Sequence, residues 1–111
     1  MEVVQKMKNL FISIPMNGRS AEDIIADQKA IVSKAEKIVG EKVQMIESCL
    51  DITVAANREE IRHDPVWYLG RSIQLLATAD YVYFADGWKN ARGCKLEHAI
   101  AEAYGVEIIS N

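Results

Sequence analysis

Short apolar runs alternate along this chain with longer stripes of helical spacing. Leu10-Phe11-Ile12-Ser13-Ile14 is an apolar, β-branched run stopped by Pro15, which predicts a first strand buried on both faces. Asn17-Gly18 makes a turn, and Ser20 followed three residues on by Asp23 has the spacing of a capping box. From Ala21 to Val39 the residues Ile24, Ile25, Ile31, Val32, Ala35, Ile38 and Val39 recur at about 3.6-residue spacing, which predicts an amphipathic helix. Gly40 is placed to end it. Val43 to Ile46 reads as a second strand, with Glu47 and Ser48 at its carboxyl end. From Leu50 to His63 the pattern is weak. Asn57 to Arg62 fits a short helical turn or a surface loop, and a lid is the functional alternative.

Asp64-Pro65 predicts a helix start, with Asp64 as N-cap and Pro65 at the first helical position. That helix runs to about Ala79, with Leu69, Ile73, Leu76 and Ala77 as its buried stripe. Trp67 and Tyr68 exceed what the stripe needs, so they either fill the core or line a pocket or subunit interface. Tyr81 to Ala85 reads as a buried strand. A polar turn, Asp86 to Gly93, leads to a helix opening at Cys94, on which Leu96, Ala99, Ile100 and Ala103 share a face. Gly105 ends it, and Val106 to Ile109 reads as a last strand. Such alternation implies a parallel sheet covered by helices on both faces. Ligands on such sheets bind outside the carboxyl ends of the strands, where strand order reverses. That edge collects Ser13 to Gly18, Glu47 with Ser48, and Asp86 to Arg92. Asp80 falls at the opposite edge, where a charge caps a strand start.

Composition narrows the function classes. The 111 residues suit one domain, and half of them are hydrophobic, enough for a core. Thirteen basic residues against 16 acidic ones leave a net charge of -3, with no basic stripe, which argues against a nucleic-acid polymer as partner. No apolar run reaches the roughly 20 residues of a membrane span. Met1 to Lys8 lacks a signal-peptide core. Cys49 and Cys94 are far apart and read as reduced thiols, and His63 and His98 are isolated. A cytoplasmic protein without metal or other cofactor is expected.

The chemistry concentrates between Ala79 and Ala101, where strand, glycine-bearing turn and helix follow one another. Glu97 is expected in the first turn of that helix, where the dipole and free N–H groups favour a charged carboxylate. A charged carboxylate beside a crevice suits a nucleophile for glycosidic bonds; the structural alternative is a carboxylate that merely suits a helix start. His98 points about 100° away from its neighbour Glu97, so the two form no dyad and His98 is a supporting or interface residue. Cys94 lies one turn before Glu97, and a packed structural cysteine is its simplest role.

Three blocks of sequence resemble the nucleoside 2-deoxyribosyltransferase-like superfamily, and within it the DUF4406 family. They are Phe11-Ile12-Ser13-Ile14-Pro15-Met16-Asn17-Gly18, then Trp67 to Ser72 with Ala79-Asp80, then Gly87-Trp88-Lys89-Asn90-Ala91-Arg92-Gly93-Cys94-Lys95-Leu96-Glu97-His98. The third is the most specific. The resemblance implies a flavodoxin-like three-layer α/β sandwich with four or five parallel strands. It also implies a retaining double displacement at the N-glycosidic bond of a nucleoside or nucleotide, with Glu97 attacking C1′ of the sugar. Ser13, Ile14, Pro15, Met16 and Gly18 of the first loop, and Asp86, Gly87, Trp88, Arg92 and Gly93 of the later turn, would hold the ligand. There Arg92 would pair with a 5′-phosphate. A homodimer or larger homo-oligomer is implied as well, a role that Trp67, Tyr68 and Trp88 suit.

The chain also departs from the pattern. Ser72 stands where the characterised transferases and the related N-hydrolases carry an aspartate, and a serine hydroxyl is no acid or base near neutral pH. It can still bond a sugar hydroxyl. Ile14 stands where glycine or glutamine is frequent, and Phe11 where a tyrosine hydroxyl is. Two further readings therefore accompany the enzyme: a catalytically silent module that binds or sequesters a nucleotide-like ligand, and an interaction protein that keeps the fold for assembly.

Overall fold

The first strand, β1 (Lys8–Ser13), sits inside the sheet because its hydrophobic residues serve both faces. Leu10 and Ile12 point to one face, Phe11 and Ser13 to the other, and Leu10 to Ser13 are all buried. The structure, a computed structural model, describes residues 7–48 and 50–110. Cys49 and most of the Met1 to Lys8 stretch lie outside them, so the reduced-thiol expectation can be read only at Cys94, a free and buried thiol.

β1 pairs in parallel with β2 (Val43–Met45) on one side, Lys8 opposite Val43. On the other side it pairs with β3 (Tyr81–Phe84), Leu10 opposite Tyr81 and Ser13 opposite Phe84. β3 then pairs with β4 (Glu107–Ile108). The order β2-β1-β3-β4, all parallel, is that of a flavodoxin-like sheet. The chain runs outward from β1 in one direction and returns to build in the other. Strand order thus reverses between β1 and β3. At the amino edge Asp80 Oδ2 accepts a hydrogen bond from the Asn9 amide at 2.7 Å, as a strand-start cap should.

Helix α1 (Ala21–Val39) has the bounds its caps dictate. The Ser20 hydroxyl accepts from the Asp23 amide, and Gly40, at φ +74°, returns its own amide to the Glu36 carbonyl. Ile31 and Ala35 of α1 pack on Leu10, Ile12, Ile14 and Val43 to form the core of one face. On the other face Phe11, Val82 and Phe84 meet Leu76 of α2 (Asp64–Leu76) and Ala101 of α3 (Arg92–Tyr104). Three layers result. No helix of the described residues is long and apolar enough to cross a membrane.

Several boundaries differ from expectation. His63, not Asp64, is the N-cap of α2, so Pro65 lies at the second helical position, where its missing N–H is equally free of cost. α2 stops at Leu76, because the Thr78 hydroxyl donates to the Leu75 carbonyl at 2.7 Å and the chain tightens, leaving Ala77 exposed. Residues 50–63 hold only two single 3-10 turns, Ile52–Val54 and Arg58–Glu60, with Ile52 as the buried anchor. α3 starts at Arg92, two residues before Cys94, and it is rotated. Its buried positions are Cys94, Glu97 and Ala101; of the expected face only Ile100 packs against the core, while Leu96, Ala99 and Ala103 are exposed.

Candidate functional site

The reversal of strand order brings the ends of β1 and β3 side by side, with the Ala85 amide donating to the Ser13 carbonyl at 2.9 Å. Beneath that edge, on the face covered by α2 and α3, the Ser13 hydroxyl donates to Glu97 Oε1 at 2.8 Å. Glu97 is only 6% exposed, and Ser13 2%. The Ser72 hydroxyl, from the facing helix α2, lies close enough to the same carboxyl to favour its charged form. Two hydroxyls and one carboxyl, each from a different element, thus meet at the switch point where ligands of such folds bind.

Burial pushes the Glu97 carboxyl above its ordinary value of 4.5, and the hydroxyls of Ser13 and Ser72 pull it partly back. This corrects the expectation of a first-turn carboxylate kept charged by the helix dipole. With α3 opening at Arg92, Glu97 falls in the second turn, past the free N–H groups, so desolvation wins. Cys94 lies one turn earlier on the same inward face. Burial raises its thiol, a hydrogen bond with Ser13 lowers it, and the nearby Glu97 raises it. Cys94 is thus a packed thiol that does not ionise readily.

The other expected residues divide into four groups. Ile14 is packed in the core on the α1 face, so its side chain points away from Glu97 and only its backbone faces the edge. Pro15, Met16 and Gly18 form a partly exposed loop, Gly18 at φ +75°. Asp86, Gly87, Arg92 and Gly93 are exposed along the turn and the opening of α3. Gly87 is at φ +87°, and its Cα faces Pro15, whose Cγ would stand 3.7 Å from a Cβ there. The two loops therefore adjoin above the Ser13–Glu97 pair. Trp88 is engaged within the chain. Its ring stacks on His98 with centroids 4.0 Å apart and planes 12° apart, and both rings touch Phe84. His98 also pairs with Glu102 at 2.9 Å.

A feature that the periodicity did not single out is a cleft of about 410 Å³ between α2 and the preceding loop. Trp67 and Arg71, one helical turn apart on α2, form one wall, and Asp51, Val54 and Asn57 are on the other. Asp51 is held below its usual range by hydrogen bonds from the Thr53 hydroxyl and amide, so it is an anion. Arg71 precedes Ser72, so one turn of α2 supplies both a cleft wall and a hydroxyl beside Glu97. The i, i+4 spacing of Trp67 and Arg71 was the signal in the sequence. The opposite wall has no periodicity to reveal it.

A family model described as "Domain of unknown function (DUF4406)" matches residues 8–110. No curated protein and no solved structure matches the chain.

Proposed function

The chain belongs to the DUF4406 family, and from that premise we propose that it acts on the N-glycosidic bond of a nucleoside or nucleotide, with Glu97 as nucleophile. The observation that carries this reading is the buried carboxyl of Glu97, bonded by Ser13 at the point where strand order reverses. Among the described residues Glu97 has no cationic partner; such a buried glutamate is costly unless it has a use, and such groups concentrate at functional sites. The resemblance of the Gly87 to His98 block to deoxyribosyltransferase-like enzymes supports the same role.

In the proposed reaction the sugar sits over Glu97, with its base toward the cleft of Trp67 and Arg71. A carboxylate oxygen of Glu97 attacks C1′, the C1′–N bond breaks, and the base leaves with the electron pair and takes a proton from solvent. Water or a second base then attacks C1′ from the opposite face and frees Glu97. Ser13 and Ser72 stabilise the ionised nucleophile by hydrogen bonding. Neither serine supplies a proton at neutral pH, so leaving-group protonation falls to water. A panel of nucleosides, deoxynucleosides and their 5′-monophosphates, incubated with and without a second base, tests this by chromatography of the free base. Base release that disappears in Glu97→Ala is the expected result. An intact panel overturns it.

A second reading rests on the same carboxyl. Glu97 holds its proton more firmly than an exposed glutamate, and Ser72 brings no second carboxylate. A protonated Glu97 would donate a hydrogen bond to a nucleotide-like ligand and leave it whole. Calorimetry showing tight binding, with the ligand recovered intact, distinguishes this module from the enzyme. A homo-oligomer in which Trp67 and Tyr68 meet a neighbour belongs to either reading.

A further inference from the structure

Among the described residues the face of α3 that points away from Glu97 is unpartnered. Lys95, Leu96, Ala99, Glu102 and Ala103 are all exposed, with Leu96 45% exposed. This is the face that the apolar pattern of the helix would have placed inside. Lys95, His98, Ala99, Glu102 and Ala103 line an open groove of about 470 Å³ along it. Its floor is made of alanines, which let another backbone approach closely, and its two ends carry opposite charges, Lys95 and Glu102.

The order of these residues is self-complementary. Lys95 and Glu102 are on one flank of the helix, Leu96 and Ala103 on the other, and Ala99 is midway along both pairs. A two-fold axis through Ala99, perpendicular to the helix, keeps each flank on its own side and reverses the direction of the chain. It sets Lys95 opposite the partner's Glu102, and Leu96 opposite the partner's Ala103. Each contact then occurs twice, a charge against its opposite and a large side chain against a small one. This is the arrangement of an isologous interface. A parallel pairing would instead exchange the flanks and set Lys95 against the partner's Leu96. Glu102 already bonds His98 through Oε1, and its second oxygen remains for the lysine.

We infer that α3 is the interface of a two-fold homodimer, packed antiparallel about Ala99 with reciprocal Lys95–Glu102 ion pairs. The inference is independent of the chemistry at Glu97, which is on the opposite face of the helix.

Charge reversal tests it. Sedimentation velocity over a concentration series should show a dimer for the full chain. Lys95→Glu and Glu102→Lys, each setting like charges opposite one another, should raise the dissociation constant roughly tenfold or more. The double variant Lys95→Glu/Glu102→Lys should return it near the starting value. Circular dichroism checks that each variant is folded. A monomeric full chain overturns the inference, as does a dimer indifferent to the single reversals or a double variant that stays apart. In a second measurement Ala99→Cys, on the axis, should cross-link to itself under mild oxidation where the parent chain does not. Absence of that cross-link overturns the proposed register.

Discussion

Ser13 and Glu97 are 84 positions apart in the chain and 2.8 Å apart in the structure, a hydroxyl donating to a buried carboxyl. The strand end and the helix that carry them meet only because β1 and β3 are neighbours. Cys94, one turn before Glu97 on the same inward face of α3, also lies beside the Ser13 hydroxyl.

Ser13→Ala should leave Glu97, which is only 6% exposed, short of a hydrogen bond. The expected cost is about 1–3 kcal/mol, the desolvation penalty of an unpaired polar group. Urea unfolding near neutral pH measures it. The same change removes a donor that stabilises the ionised carboxylate, so the Glu97 pKa should rise further.

Glu97 makes the fold sensitive to pH in a definite sense. Its folded pKa is above the ordinary 4.5 because of burial, so the folded state binds its proton more tightly than the unfolded one. The stability linked to that proton is full below 4.5 and is lost as pH rises through the raised value. Glu97→Gln keeps an acceptor for Ser13 and cannot ionise. The melting temperature of the variant should therefore gain on the parent chain as pH rises across that window. A difference that stays constant with pH would contradict the buried-carboxyl account.

Ser72→Asp would place a second carboxylate beside the first. Two carboxylates in one buried site cannot both ionise cheaply, so one of the pair should titrate still higher. The expected loss is about 1–3 kcal/mol at neutral pH, relieved on acidification. Chemical denaturation at two pH values checks the sign.

Gly87 and Gly93 should respond oppositely to alanine. Gly87 is at φ +87°, in the left-handed region, and a Cβ there meets Pro15 only at van der Waals distance. Its penalty is therefore torsional, about 1–2 kcal/mol. Gly93 lies in α3 with open space around it, so alanine there should stabilise by about 0.5–1 kcal/mol. Melting temperatures of the two variants decide the matter.

The sequence shows what is local and hides what is not. The bounds of α1 were legible because Ser20 and Gly40 fix them within a few bonds. The α/β class followed from alternation alone, since runs such as Leu10 to Ile14 are buried on both faces. The rotation of α3 was not legible. Counting apolar residues favours Leu96, Ala99 and Ala103, but the contact of Glu97 with Ser13 and Ser72 turns the helix the other way. The engagement of Trp88 was hidden too, since no periodicity links the turn at Trp88 to His98 across the start of a helix. Ser13 itself carried a signal, as the lone hydroxyl in an apolar strand.

The proposed nucleophile is tested most directly by the pH dependence of base release, measured side by side for the parent chain and Glu97→Gln. The parent chain should free base from at least one nucleoside or nucleotide, with a rate that climbs as Glu97 ionises through its raised pKa. Glu97→Gln, which preserves size and the Ser13 hydrogen bond, should be slower by roughly 10⁴-fold or more, the scale of removing an essential catalytic group. Release that continues unchanged in Glu97→Gln, or no release from any substrate at any pH, would contradict the assignment of Glu97 as the nucleophile.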